Sequence, residues 1–386
     1  MSRISCILCP PSIDFYYMFQ RPHQLMKSFS ELQIRSYFMN RPYLFHPEAG
    51  IKQLNPYFYI SNQIDIRPYL NGVRPVIYFS SPDEIERLDQ YDPSLVVFDS
   101  LDEPSGEFAS WNKNYHRALR CADVVLASSE KLYKRAAGVN PNAYLVPNAC
   151  DYDFFCQAVH KNMPIPEDMR NITGPVIAYS GAIATWCDLQ LVERLADNFP
   201  HCNIVMLGPM YNVSQLPSRP NIHWLGMKAY QQLPFYFQQF DVGIIPFKIS
   251  SMVEAVNPIK MWEYMAAGIP VVTTAIPEAG KYPGLVLFSE NEEAFMENVK
   301  AALYHDNPAC KSQRMDLARN NSWTARARQI IAIMEANLAR KGVYAEQQLP
   351  VSLPTIFPRS SRLHCIDIAV KGSINFDLRR ERRKSW

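Results

Sequence analysis

One rhythm constrains the fold more than any motif. Short apolar runs recur at residues 4–8, 34–40, 57–60, 76–79, 95–98, 124–127 and 143–146, with helical periodicity between several of them, notably at 21–32, 107–121 and 128–137. From Asp151 to Pro175 the rhythm stops, and KNMPIPEDMRNITGP has the proline, glycine and polar content of a linker. It then resumes. Strands are expected at 176–180, 203–208, 221–224, 242–245, 270–274 and 285–288, and helices at 187–198, 229–239, 257–267, 291–304 and 323–338. Strand and helix in alternation build a parallel sheet covered by helices. Two such units in 386 residues, a length beyond the roughly 250–300 at which one core stops growing, predict two α/β domains with a cleft between them. Ligands of open parallel sheets bind beyond the carboxyl ends of the strands, so function is sought in the segments that leave those ends.

Composition narrows the class. Hydrophobic residues at 48% and charged residues at 20% describe a folded chain rather than a disordered one. The net charge of +2 offers nothing to a polyanion, and the basic residues form no aromatic-basic path for nucleic acid. They concentrate instead in residues 371–386, where six Lys or Arg against two acids give +4 and leave −2 for the rest. Such an end suits an anionic membrane surface or is simply a solvated terminus. From Gln347 onward Pro350, Pro354 and Pro358 precede a strand candidate at 363–369. The chain has no apolar run near the roughly 18 residues a membrane span needs, and the opening MSRISCILCPP is too short and proline-broken for a signal peptide. The expectation is a cytoplasmic protein, peripheral at most on the inner face of the cell membrane. Nine scattered cysteines suit reduced thiols, and the lone Cys6/Cys9 pair in an apolar strand reads as core rather than zinc site.

Four stretches carry chemistry. In YSGAIATW (179–186) a strand runs into a turn at Gly181 and Ala182 and then a helix, an ordinary connection or one whose free N–H groups meet a phosphate. In VNPIKMWEYMAAG (256–268) Asn257 is placed to cap a helix, Pro258 to open it and Gly268 to end it. Lys260 and Glu263 share one face, as a solvated pair or as ligands for phosphate and a ribose diol. Arg21 and His23 in FQRPHQ stand where a helix begins, available for anionic oxygens and for a sugar hydroxyl or proton, or else satisfied surface and capping residues. FDSLDEPSGEF (98–108) gathers Asp99, Asp102, Glu103 and Glu107 after a strand, as acceptor-side carboxylates or as a turn. These acids form no DxD with further ligands, so no metal is expected.

Together QRPHQL, VPNACD, VIAYSGAI, NIHWLG, DVGIIPF and NPIKMWEYMAAGIPVV resemble bacterial nucleotide-sugar-dependent glycosyltransferases of the family 1/4 group over residues 1–335. The resemblance implies the GT-B fold, an α/β architecture of two Rossmann-like domains facing each other across a deep cleft. Residues 1–165 would be the acceptor-side domain, 166–335 the nucleotide-sugar-binding domain, and 336–386 an extension with a basic end. It implies that Glu263 binds the ribose, Gly181 and Ala182 approach the diphosphate, and Lys260 lies near the diphosphate or sugar. Ile222 and Leu225 would flank the base, Asn257 would belong to the donor site, and the helix at 323–338 would cross back to the first domain. Many retaining members carry a second glutamate eight residues before the ribose one. Here that position is Ala255, with Glu254 one residue off register and Asn257 another polar substitute.

The function these features imply is transfer of a sugar, with retention, from a nucleoside-diphosphate sugar to a hydroxyl of a polysaccharide, glycan or lipid-linked acceptor. Arg21, His23 and Lys260 would serve catalysis, Asp99 and Asp102 the acceptor side, and no bound cofactor is needed. A nucleotide-sugar epimerase and a non-catalytic glycan- or nucleotide-binding regulator are the competing readings.

Overall fold

The computed structural model describes residues 2–43 and 47–343. The first sheet contains β1 (Ile7–Cys9), β2 (Ser36–Asn40), β3 (Gly50–Asn55), β4 (Phe58–Asn62), β5 (Val76–Phe79), β6 (Leu95–Ser100), β7 (Val124–Ala127) and β8 (Ala143–Leu145) in the order β3-β4-β2-β1-β5-β6-β7-β8. All neighbours are parallel except the β3/β4 pair. The second sheet contains β9 (Val176–Ser180), β10 (Asn203–Leu207), β11 (Ile222–Gly226), β12 (Val242–Ile245), β13 (Val271–Thr273) and β14 (Val286–Phe288), all parallel, in the order β11-β10-β9-β12-β13-β14. Strand order reverses at β1 and at β9. These are the switch points where a crevice opens beyond the strand ends.

The helices are α1 (Arg21–Glu31), α2 (Asn112–Cys121), α3 (Glu130–Ala137), α4 (Tyr152–Phe155), α5 (Leu189–Asn198), α6 (Leu233–Phe237), α7 (Ile259–Ala266), α8 (Glu292–His305), α9 (Pro308–Asn320) and α10 (Trp323–Arg340). They cover both faces of each sheet, because a parallel strand buried on both sides needs apolar residues in both directions. In β9 Ile177 and Tyr179 join Leu191, Val192 and Leu195 of α5 in one core, while Ala178 faces Met261, Tyr264 and Met265 of α7 in the other. In the first domain Leu25, Met26 and Phe29 of α1 cover one sheet face, with Leu119 of α2 on the other.

One connection differs from the sequence reading and one follows the resemblance. The segment after Asp151 is no free linker, since Tyr152, Phe155, Ala158 and Met169 are buried in the second domain's core. And α10, last in the described chain, buries Trp323, Ala327, Ile330, Met334 and Leu338 in the core of the first sheet. It arrives beside the outgoing crossing: the Cys150 N–H donates to the Asn321 carbonyl at 3.3 Å and the Trp323 N–H to the Cys150 carbonyl at 3.0 Å.

Cys6 and Cys9 lie in the first core, where burial pushes the Cys6 thiol up to about 12. Among the described residues no helix is long and apolar enough to cross a membrane. The strand candidate at 363–369, Cys365 and the basic end at 371–386 lie outside the described residues.

Candidate functional site

The switch point of the second sheet is shaped by close backbone approach. Gly208, at φ +149°, follows β10 so tightly against the turn after β9 that a Cβ there would overlap the Gly181 carbonyl oxygen. Gly181 itself has the Tyr179 hydroxyl 2.7 Å from where its Cβ would be, and its N–H donates to the Leu207 carbonyl. The Ile183 N–H is likewise taken, by the Pro209 carbonyl. The N–H groups of Ala182, Ala184, Thr185 and Trp186 have no acceptor among the described residues. A loop of open amides ahead of a helix accepts an anion. The sequence pointed to this turn through Gly181; the glycine's work is steric and the open donors come after it.

Helix α7 lies against the same strand end. The Tyr264 hydroxyl accepts the Ser180 N–H at 2.7 Å, and its ring occupies the space a Cβ on Gly243 of β12 would need. One residue before it, Glu263 is 1% exposed and pairs with Lys260 Nζ at 2.9 Å. The pair is thus neither solvated nor on an outer face. Burial, and second to it the Glu263 charge, push the Cys150 thiol and the Tyr230 phenol up. The carboxylate is therefore near enough to Cys150 and Tyr230 for its charge to bear on both. Asn257 does not cap this helix: Pro258 stands at the cap position, and the Asn257 side chain instead donates to Glu278 at 3.0 Å and accepts from Trp262 Nε1 at 3.0 Å.

Several residues expected in the cleft are withdrawn from it. Arg21, 1% exposed, grips Asp99 through Nε at 2.8 Å and Nη2 at 2.9 Å. Its Nη1 donates to the Val146 carbonyl and to Asn148 Oδ1. Asp99 is fully buried and also accepts from the Tyr78 hydroxyl. With its charge and donors spent on one another's neighbours, the pair anchors the first domain and offers nothing to phosphate or acceptor. His23 is also fully buried, its Nδ1 accepting the Gln20 N–H at 3.0 Å and its Nε2 bonded to the Asp14 carbonyl at 3.1 Å, with Phe19 and Phe38 stacked on its ring. Desolvation lowers its pKa to about 4, so the ring is neutral and has no nitrogen left for a sugar hydroxyl. Ile222 begins β11 opposite Ile204, at the amino end of the sheet and inside its core, which excludes contact with a ligand at the carboxyl ends. Leu225 lies at the other end of that strand and packs on the α7 side. Asp102, partly buried after β6, has its carboxyl raised to about 6 by desolvation and then by the Asp99 charge.

Residues 175–305 match the family described as glycosyl transferases group 1. Most of the second domain is thus similar in sequence to group 1 glycosyltransferases. Over 229 residues the chain is 27% identical to a protein of Bacillus subtilis (strain 168) named as a teichuronic acid biosynthesis glycosyltransferase, TuaH. That alignment covers 56% of this chain and 57% of the relative's length. Among solved structures, α,α-trehalose 6-phosphate synthase from Burkholderia multivorans superposes with a TM-score of 0.65 at 13% identity, over 88% of this chain and all of that one. Anabaena HepE, solved with UDP and glucose, gives 0.63 at 14% identity over 86% and 99%. The architecture is therefore GT-B, two Rossmann-like domains facing each other.

The second domain meets the first through residues whose interdomain contacts no motif announced. Tyr230 lies between Phe19 and Phe154, with ring centroids at 4.8 and 4.9 Å, and accepts from Gln24 Nε2 at 2.7 Å. Tyr211, in the loop after β10, shares a hydrogen bond with Tyr17 in the loop after β1. Glu107 of the first domain accepts from Thr185 Oγ1 at 2.7 Å and from Asn212 Nδ2 at 3.1 Å, beside the unpaired amides of the second domain. Lys131 reaches Glu254 at 2.9 Å, while Ala255 packs against Ala127 and Leu132. The spacing of these residues carries no periodic signal, because each is defined by a partner more than fifty positions away.

Proposed function

We propose that the protein transfers a sugar from a nucleoside-diphosphate sugar to a hydroxyl of a growing polysaccharide or glycan, with retention at the anomeric carbon. One observation carries the reading: the buried Glu263 carboxylate and the Lys260 ammonium stand on the helix that packs on β9, whose carboxyl end leads into four open amides. In this reading the amides of Ala182, Ala184, Thr185 and Trp186 and the Lys260 charge hold the diphosphate. They stabilise the negative charge that develops as the donor bond breaks. Glu263 accepts both hydroxyls of the ribose. Leu225 and Asn257 complete the donor side by packing and by fixing the start of α7. On the first domain Asp102 is the carboxylate left to receive the acceptor hydroxyl, since Asp99 is committed to Arg21. Contacts between the domains exclude water that would otherwise take the sugar. The relative named for teichuronic acid biosynthesis supports a polysaccharide as acceptor, and the neighbour solved with UDP supports a uridine donor.

The test is donor-dependent thermal stabilisation across a panel of nucleotide sugars, followed by NMR of the product's anomeric centre. Wild type is expected to be stabilised by at least one donor. Glu263→Ala should lose most of that shift while remaining folded, because the ribose contact is gone and Lys260 is left without its partner. A folded wild type that responds to no donor in the panel overturns the reading, and sugar rearrangement without an acceptor would make the protein an epimerase.

A further inference from the structure

A buried carboxylate outside this donor set joins the two domains. Glu278, in the loop after β13, is 3% exposed. Its Oε1 accepts the backbone N–H of Glu130, the first residue of α3 in the other domain, at 2.8 Å, and Lys281 Nζ at 2.8 Å. Its Oε2 accepts Asn257 Nδ2 at 3.0 Å. Asn257 is then held from a second direction, because its carbonyl accepts Asn148 Nδ2 at 2.6 Å and Asn148 Oδ1 accepts from the anchored Arg21. Two residues further on, α7 begins, and it carries Lys260 and Glu263.

The physical consequence follows from what each partner needs. The first N–H groups of a helix lack internal acceptors and favour negative charge. The Ser129 side chain caps α3 at Leu132, leaving the Glu130 N–H to a carboxylate from the opposite domain. A carboxylate buried at this level is tolerable only when donors surround it, and one of its donors here exists only while α3 is docked. If α3 leaves, Glu278 loses that donor and the Asn257 it holds loses the Asn148 contact as well. The start of α7 is thus over-determined in the docked state and under-determined in any other.

We propose that Glu278 is a positioning residue that makes the grip of Lys260 and Glu263 on the donor conditional on docking of the first domain. Its second half rests on the proposed glycosyl transfer; its first half does not.

Hydrogen exchange of the full chain without donor separates them. Glu278→Ala should raise exchange at 129–133 and at 257–264 together. Glu278→Gln, which keeps an acceptor for the Glu130 N–H, should raise it less. Lys131→Ala, which removes a different interdomain ion pair, should leave 257–264 as in wild type. Faster exchange confined to 274–281, with 257–264 still protected in both Glu278 variants, overturns the proposal. With a donor and acceptor in turnover, Glu278→Gln should weaken donor affinity roughly 5- to 150-fold, the usual range of coupling between sites, and raise the share of donor lost to hydrolysis. An unchanged ratio of hydrolysis to transfer beside a lowered melting temperature would mean a structural role alone and overturns it. A wild type that binds no nucleotide sugar would end the functional reading, while the exchange result would still decide the link between Glu278 and α7.

Discussion

His23 shows why the chemical identity of a side chain does not fix its duty. Its spacing in RPHQL suits a helix start facing a cleft, yet the same position faces inward, and the ring finds a carbonyl on one side and an N–H on the other. Arg21 and Asp99 repeat the lesson: each is a residue type suited to catalysis, and each is consumed by the other. What settled the matter was the Asp14 and Tyr78 partners, which sequence spacing does not associate with them, while the Gln20 N–H on His23 is the capping role that the helix-start spacing also allowed. The Lys260–Glu263 pair and its helix were legible because the helix and its exit into a strand are local. The buried His23 also makes acid a specific liability. Its folded-state pKa is lowered from 6.5 to about 4, so between those values the unfolded chain binds a proton that the folded chain does not. Stability is therefore full above pH 6.5 and falls as pH drops toward 4, by up to about 3 kcal/mol for this shift. Urea unfolding at pH 7.5, 6 and 5 should show wild type losing more stability on acidification than His23→Gln, whose amide does not titrate. Parallel pH dependences for the two proteins would reject the assignment.

At the scale of elements, strands buried on both faces announced themselves as apolar runs, and nearly all fell where the rhythm put them. The exceptions are informative. In β3, Lys52, Gln53 and Leu54 are exposed, because it is an antiparallel edge strand with only part of one face to bury, and its sequence GIKQLN lacks the run. Helix α9 buries only Arg314 and Ala318, so PACKSQRMDLARN has no apolar stripe to read. The loop after β9 was found for its glycine, but the partner glycine was not, since nothing in the sequence tells that Gly208 and Gly181 touch. That contact makes a prediction. Gly208→Ala sets a Cβ into backbone that cannot move aside, whereas Gly226→Ala, at φ +69° with nothing within 4 Å, meets only the left-handed conformation. Gly226→Ala should cost roughly 1–2 kcal/mol. Gly208→Ala should cost at least twice as much in urea unfolding and, unlike Gly226→Ala, should abolish donor-dependent stabilisation by displacing the loop of open amides. Equal costs, or donor response retained in Gly208→Ala, would show that the close approach does not shape the site.

The whole molecule is two sheets stitched by the chain crossing twice. Its first domain is completed by α10, which arrives only after the entire second domain, and supplies five fully or nearly fully buried side chains to the first sheet's core. The periodicity of the sequence showed the helix, and the family resemblance, not its spacing, pointed it back to the first domain, where it is buried. The first domain thus has a wall contributed from far along the chain, while the second draws Tyr152, Phe155 and Ala158 from the segment just ahead of its own first strand. Removing atoms from that wall should loosen one sheet and spare the other. Ile330→Ala leaves a cavity between α10 and the first sheet and should cost about 2–5 kcal/mol, the range for such truncations in a packed core. Hydrogen exchange should then accelerate in β1, β5, β6 and α1, with β9, β12 and α5 protected as in wild type. A smaller truncation in the second domain's core, Val192→Ala in α5, should give the complementary pattern. If Ile330→Ala instead loosens both sheets to the same degree, α10 is not a wall of the first domain alone, and the two domains unfold as one cooperative unit.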